Sequence, residues 1–236
     1  MNRAISLRNV RKQFGNKTVL DGINLDIPTG SIVGLLGTNG SGKTTLLKCA
    51  LGLLKPQEGN CELLGEPAWN LSADAKRRLG YVPQIISLYP WMKVDELLRY
   101  TGSFYSNWNP DRVQQLRETF NLAGKDRVGK LSVGQLQKLA IISALGNDPD
   151  LLILDEPAAS LDPIARRQFL QLLVELAEPG RRTVLFSTHI TSDLERVADS
   201  VAVMQPGKIT YFGQMEELKE QSHLNLEDAF LEMHNA

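Results

Sequence analysis

The sequence predicts an α/β fold built on a mostly parallel sheet, and three observations carry that prediction. Ile32-Val33-Gly34-Leu35-Leu36 is a short, partly β-branched apolar run that reads as a buried strand, and a glycine-rich stretch separates it from the breaker-free helical run Leu46–Leu51. Leu151-Leu152-Ile153-Leu154 is uninterrupted apolar sequence between Pro149-Asp150 and Asp155, as suits a strand buried on both faces. Beyond it strand-like and helix-like segments alternate, the pattern of a sheet with right-handed crossovers.

Taken in order, the first 30 residues alternate apolar and polar positions through Ile5, Leu7, Val10, Val19, Leu20, Ile23, Leu25 and Ile27. Turn signals at Gly15-Asn16 and Pro28-Thr29-Gly30 divide them, so a small antiparallel sheet is expected ahead of the 32–36 strand. Lys55–Gly59 reads as a turn, Cys61–Leu64 as a strand ending at Gly65, and Ser72 as the cap of a short helix through Arg78. Leu79–Val82 is a further strand, stopped by Pro83.

Between residues 86 and 148 the spacing becomes helical. Val94, Leu97, Leu98 and Thr101 share one face; Val113, Leu116 and Phe120 share another, after the capped start Asn109-Pro110. A third helix opens near Gly134 and ends near Gly146-Asn147. This stretch is expected to be a helical subdomain, about 86–148, inserted into an α/β core of about 1–85 and 149–236. The core then continues with a long helix after Pro163, a strand over 183–187, a helix around 193–197, and a strand over 201–204. Pro206-Gly207 turns the chain into a strand over 209–212, and one or two helices close it.

Composition is that of an ordinary globular domain: 236 residues, 42% hydrophobic, 22% charged, net charge −1. The balance argues against a nucleic-acid partner, which usually calls for a basic excess. No apolar run approaches the roughly 20 residues that span a bilayer. The first residues, MNRAISLRNV, lack a signal-peptide core, which sets the expectation of a cytosolic chain. Cys49 and Cys61 are expected reduced, and with three scattered histidines they make no zinc spacing.

Chemistry concentrates in Gly37-Thr38-Asn39-Gly40-Ser41-Gly42-Lys43-Thr44-Thr45. The spacing of Gly37, Gly42, Lys43 and Thr44, with strand before and helix after, is the phosphate-binding P-loop pattern. Glycines let successive N–H groups point inward at phosphate oxygens, and the new helix adds its positive end. Lys43 would reach the β- and γ-phosphates, and the Thr44 hydroxyl would ligate Mg²⁺. The bland reading, a Gly/Ser-rich surface turn, does not account for the flanking strand and helix. The core is therefore expected to be of the P-loop NTPase (RecA-like) kind. Asp155 and Glu156 follow the 151–154 strand at the sheet edge where the P-loop also lies. Asp155 would face the Mg²⁺ held by Thr44, and Glu156 could orient or deprotonate the water attacking the γ-phosphate. On their own these two would be an acidic loop.

Leu131-Ser132-Val133-Gly134-Gln135, about 20 residues before LLILDEP, resembles the LSGGQ signature of ABC ATPases in wording and placement. The resemblance covers essentially the whole chain: Gln84 after YVP matches the Q-loop, Ser160-Leu161-Asp162 the D-loop, and His189 in STH the H-loop. Phe14 stands where the family has an aromatic that stacks on adenine, although one aromatic at a strand end is as often core. No guanine-reading Asn-Lys-x-Asp is present, since Asn16-Lys17 is followed by Thr18-Val19. Ser132 suits a helix cap and Gly134 a close backbone approach, which together make a second phosphate site. The resemblance implies that Ser132, Gly134 and Gln135 meet the γ-phosphate held by a second ATPase subunit. Two ATP molecules would then be sandwiched head to tail, with Asp162 reaching across the interface. Gln84 would sense Mg²⁺ and the attacking water; His189, otherwise a packed or surface histidine, would hold Glu156, the water and the γ-phosphate. Val133 departs from the first signature glycine, Ser160 from a D-loop glycine, and Ser143 from an arginine common in the following helix. None removes a phosphate, metal or water contact, and hydrolysis is still expected.

The resemblance further implies a membrane-spanning permease partner, which would keep the chain on the cytoplasmic face of the membrane. The apolar segment Ile85–Met92 either lines the groove for that partner's coupling helix or belongs to the insertion's own core. Phe104–Trp108 and Leu226–Leu231 favour the ABC-2-type exporter and antibiotic-resistance subclass, and the chain ends too soon for the regulatory domain of carbohydrate importers. An exporter ATPase leads; an ATPase driving a non-transport membrane complex is the alternative. A soluble ATPase acting on DNA or ribosomes fits less well, lacking basic excess and coiled coil.

Overall fold

The computed structural model describes residues 2–176 and 182–222, the side chains of 219–222 aside. The chain opens with β1 (Arg3–Phe14) and β2 (Lys17–Pro28), a long hairpin turning at Gly15-Asn16, and then enters β3 (Ile32–Gly37). The glycine-rich loop leads into α1 (Lys43–Ala50), followed by β4 (Glu58–Leu63), the short β5 (Glu66–Pro67), α2 (Ala73–Arg77) and β6 (Leu79–Val82). Three helices come next: α3 (Val94–Gly102), α4 (Pro110–Thr119) and α5 (Val133–Leu145). The rest alternates as β7 (Leu151–Asp155), α6 (Pro163–Leu176), β8 (Thr183–Thr188), α7 (Thr191–Val197) and β9 (Ser200–Gln205). It finishes with β10 (Lys208–Gln214) and α8 (Met215–Ser222). Leu226–Leu231 lies outside the described residues.

Two sheets result. One is antiparallel, ordered β2-β1-β4-β5; the other is ordered β10-β9-β3-β8-β7-β6, parallel except for its β10 edge. Residues 58 and 59, expected in a turn, belong to β4, because Glu58 pairs with Arg11 and the Gln57 N–H donates to the Arg11 carbonyl at 2.9 Å. The pairing partner lies 47 positions back, beyond any local turn signal.

The parallel strands show why their runs are apolar without alternation. Along β3, Ile32 and Leu36 join one buried cluster while Val33 and Leu35 join the other. Leu152 and Leu154 of β7 face the first cluster, Leu151 and Ile153 the second. Both faces of the sheet are covered, so every position must be apolar. Each fully buried leucine or valine of this kind contributes about 1.5–3 kcal/mol of transfer free energy.

Helices α3 to α5 leave the sheet after β6 and return to β7, its direct neighbour. Their caps are local: Asn109 Oδ1 accepts from the Arg112 N–H at 2.9 Å. At α5, Ser132 Oγ accepts from the Gln135 N–H at 3.3 Å while Gln135 Oε1 accepts from the Ser132 N–H at 2.9 Å, a reciprocal capping box. Their apolar faces (Leu97, Leu116, Leu139 and Ile142 among them) join the same cluster as Leu154 and Phe186 of the sheet. The Ile85–Met92 segment divides: Ile86, Leu88 and Met92 pack on that cluster, while Ile85 and Trp91 stand 84% and 65% exposed. Among the described residues no helix is long and apolar enough to cross a membrane.

Candidate active site

The carboxyl ends of β3, β7 and β8 lie side by side because their parallel register sets Leu36 against Thr188 and Asp155 against Ser187. The loop from Gly37 to Gly42 turns away from β3, and Gly42, at φ 110°, adopts a backbone that a side chain would oppose. No side chain caps the start of α1, so its first N–H groups remain open to a ligand. Ser41 Oγ is buried there without a hydrogen-bond partner.

Lys43 is drawn inward. Its ammonium donates to the Gly37 carbonyl at 2.7 Å and the Thr38 carbonyl at 3.2 Å, and lies 3.2 Å from Glu156 Oε1. Thr44 Oγ1 donates to Gln84 Oε1 at 3.4 Å, so the P-loop hydroxyl meets the amide that follows β6. These groups border a cavity of about 440 Å³ that also takes in Phe14, Lys17, Asn39, Gly40 and Thr45. Phe14 is 51% exposed at its rim, with Lys12 Nζ 5.4 Å from the ring centroid. Phe14 is thus a half-exposed ring with a lysine over it and not a core residue.

The acidic pair behaves as two unlike groups. Asp155 is wholly buried; Oδ1 accepts from Ser187 Oγ at 2.7 Å, while Oδ2 is buried without a partner. Glu156 has a left-handed backbone, φ 50°, at a cost of about 1–3 kcal/mol for a residue with a side chain. Its N–H donates to Ser187 Oγ at 2.9 Å, and its Oε2 lies 3.0 Å from His189 Nδ1. A carboxylate can only accept, so this contact sets the histidine proton on Nδ1. Lys43, Glu156 and His189 thus form one line of contacts at the sheet edge.

The signature and D-loop residues lie elsewhere. Ser132, Gly134, Gln135 and Asp162 do not line the P-loop cavity of their own chain. Ser132 and Gln135 close the α5 cap, and a Cβ at Gly134 would stand 2.8 Å from the Ser160 carbonyl oxygen. The close approach read from that glycine is, within one chain, an approach to the D-loop backbone. Asp162 caps α6, accepting from the Ala165 N–H at 2.9 Å and the Ile164 N–H at 3.1 Å, with Lys138 Nζ 3.6 Å away. Those donors, the Ala165 N–H foremost, and the Lys138 charge hold its carboxyl below the ordinary carboxylate range.

One residue of the site, Ser187, was not singled out from sequence. Ser187 bridges Asp155 and Glu156, and the readable signal was a hydroxyl two residues before His189 at a strand end. Tyr81 has a buried, unpartnered hydroxyl; burial, and then the Asp155 charge, push its pKa up to about 12. A second, larger depression of about 580 Å³ runs between the sheet and the helical insertion. Leu53, Trp69, Tyr81, Ile86, Leu88 and Tyr105 line it.

Comparison with known proteins points one way. The ABC transporter family model matches residues 20–159. Nod factor export ATP-binding protein I of Cupriavidus metallidurans is 39% identical over 223 residues, which are 92% of this chain and 73% of that protein. The bacitracin transport ATP-binding protein BcrA of Bacillus licheniformis is 32% identical, over 96% of this chain and 75% of its own length. A solved ATP-binding subunit of an ABC transporter superposes with a TM-score of 0.86 at 26% identity, over 97% of this chain and 98% of that one. An ATP-binding cassette solved as a dimer in a post-hydrolysis state with ADP and Pi gives a TM-score of 0.79 at 26% identity, over 89% and 98%.

Proposed function

The chain belongs to the ABC transporter family and is an ATPase of that family, and from this premise we propose that it powers export through a separate membrane-spanning permease. The Nod factor export relative supports the direction, and together with the bacitracin transport relative it supports the ABC-2-type subclass. Two copies, or this chain and a related one, would close head to tail over two ATP molecules, as the dimeric cassette supports.

The roles follow from the contacts. Lys43 would exchange its Gly37 and Thr38 carbonyls and Glu156 for β- and γ-phosphate oxygens, while backbone N–H groups of the loop and of the first turn of α1 would cradle the remainder. Phe14 would give the adenine its face. Thr44, Gln84 and, through its unpartnered Oδ2, Asp155 would hold Mg²⁺, an ion suited by a hydroxyl and a single carboxylate beside substrate phosphates. Bound there, Mg²⁺ would offset charge on the phosphate oxygens. Glu156 would take the proton of the attacking water while His189 Nδ1 fixes its other oxygen. Ser132, Gly134 and Gln135 of the second subunit would complete the site, with its Asp162 reaching across.

The observation that carries the reading is the Lys43–Glu156–His189 line, a cation, a base and its orienting group within 3.2 Å at the mouth of a P-loop. The apolar depression between sheet and insertion would take the partner's coupling helix, holding this chain at the cytoplasmic face of the membrane. Solubilising membranes and identifying what co-purifies tests this directly. A multi-span protein supports it; a nucleic-acid-bound complex overturns it.

A further inference from the structure

One hydroxyl touches both acidic residues of the site. Ser187 Oγ accepts from the Glu156 N–H at 2.9 Å and donates to Asp155 Oδ1 at 2.7 Å. We infer that Ser187 is a positioning residue for hydrolysis, holding the free Asp155 oxygen toward the cation and the Glu156 side chain toward water through one hydrogen-bonded chain. The inference rests on the roles proposed above for Asp155 and Glu156.

Polarity makes the arrangement directional. A serine hydroxyl carries one proton, and Asp155, as a carboxylate, must receive it; the oxygen lone pairs are then left for the Glu156 N–H. Ser187 is wholly buried, so no water can stand in for the hydroxyl without a rearrangement. Its contact is the one hydrogen bond of the Asp155 carboxylate among the described residues, and fixing Oδ1 also fixes where Oδ2 points. The N–H held by Ser187 belongs to a residue at φ 50°, a conformation that needs outside support. His189, two residues along the same strand exit, grips the Glu156 side chain at 3.0 Å. Glu156 is thus clamped at both its backbone and its carboxylate by the end of β8. The direct register of Asp155 opposite Ser187 makes this possible, since a slip of one residue would turn the hydroxyl to the other face.

The test compares Ser187→Ala and Ser187→Thr with the native full chain. ATPase kcat and KM are measured, together with binding of a fluorescent ATP analogue in Mg²⁺ and in EDTA, and thermal melting. Loss of the hydroxyl should lower kcat roughly 10- to 100-fold, the usual penalty for losing an orienting partner. It should also shrink the Mg²⁺-dependent gain in nucleotide affinity, leave affinity in EDTA near native, and be reversed in Ser187→Thr. If the alanine chain melts out, Ser187→Cys, of similar volume but a weak donor, gives the same reading. Native kcat and native Mg²⁺ dependence without the hydroxyl would overturn the inference. So would a loss shared equally by EDTA binding and not restored by threonine, which is a packing defect. Glu156→Gln runs alongside: turnover by that variant overturns the underlying site reading, whereas its inactivity beside a native-like Ser187→Ala overturns this inference alone.

Discussion

Lys43 Nζ lies 3.2 Å from Glu156 Oε1, and the two side chains are 6% and 5% exposed. The ammonium donates to the Gly37 and Thr38 carbonyls, while Glu156 Oε1 stands beside it as an ion-pair partner and accepts no hydrogen bond. A phosphate entering the loop must therefore win Lys43 from its present partners, and in doing so it releases Glu156. Under the proposed roles, nucleotide binding and release of Glu156 would be coupled through this one ion pair.

Removing the cation should damage both stability and activity. Lys43→Ala strands Glu156 in an enclosed site, and breaking one side of a buried pair costs about 3–5 kcal/mol. ATP binding or turnover should fall strongly and the melting midpoint should drop. An unchanged ATPase rate would refute the P-loop assignment.

Neutralising Glu156, the proposed base, should separate binding from turnover. Glu156→Gln retains shape and leaves one amide oxygen to accept from either Lys43 or His189. Hydrolysis should fall about 10²- to 10⁴-fold, the range for losing a general base. ATP·Mg should still bind, and light scattering should then register a dimer. A chain that stays monomeric with saturating nucleotide would count heavily against the two-subunit site.

The contact between signature helix and D-loop can be probed at its tightest point. In Gly134→Ala the new Cβ would meet the Ser160 carbonyl oxygen at 2.8 Å, and backbone must shift to make room. Urea unfolding should show a loss of about 1–3 kcal/mol, the cost of overpacking, with reduced ATPase activity. Native stability and activity together would mean that this contact does not constrain the D-loop.

Asp162 supplies a pH dependence whose sign can be worked out. The Ala165 N–H first, and then the Lys138 charge, depress its folded pKa, so the unfolded chain takes up the proton more readily. Its stabilising contribution is present above the ordinary carboxylate range and is lost as pH falls through the depressed value. Asp162→Asn should therefore lower the melting midpoint at neutral pH, and the gap to native should close on acidification. A gap of constant size from neutral to strongly acid pH would exclude this linkage.

Much of the architecture was legible because its signals are short in range. The helix caps at Ser72, Asn109 and Ser132 bond to N–H groups three residues on, so their residue types announce them. The runs that became β3, β7 and β8 needed only their apolar character, since a strand buried on both faces has no alternation to conceal. In the same way the P-loop, the acidic pair and His189 were readable as residue types at strand ends.

What local sequence determined about this protein, then, is its elements, their caps and the residue types gathered at one sheet edge. Tertiary structure alone decided that Lys43 faces Glu156, that Ser187 joins Asp155 to Glu156, that Gly134 abuts Ser160, and that the turn expected at residues 58 and 59 is strand. These contacts link positions between 26 and 113 residues apart, and they depend on strand register and loop path. Strand register is set by how entire apolar faces pack, a property that no short stretch of sequence carries.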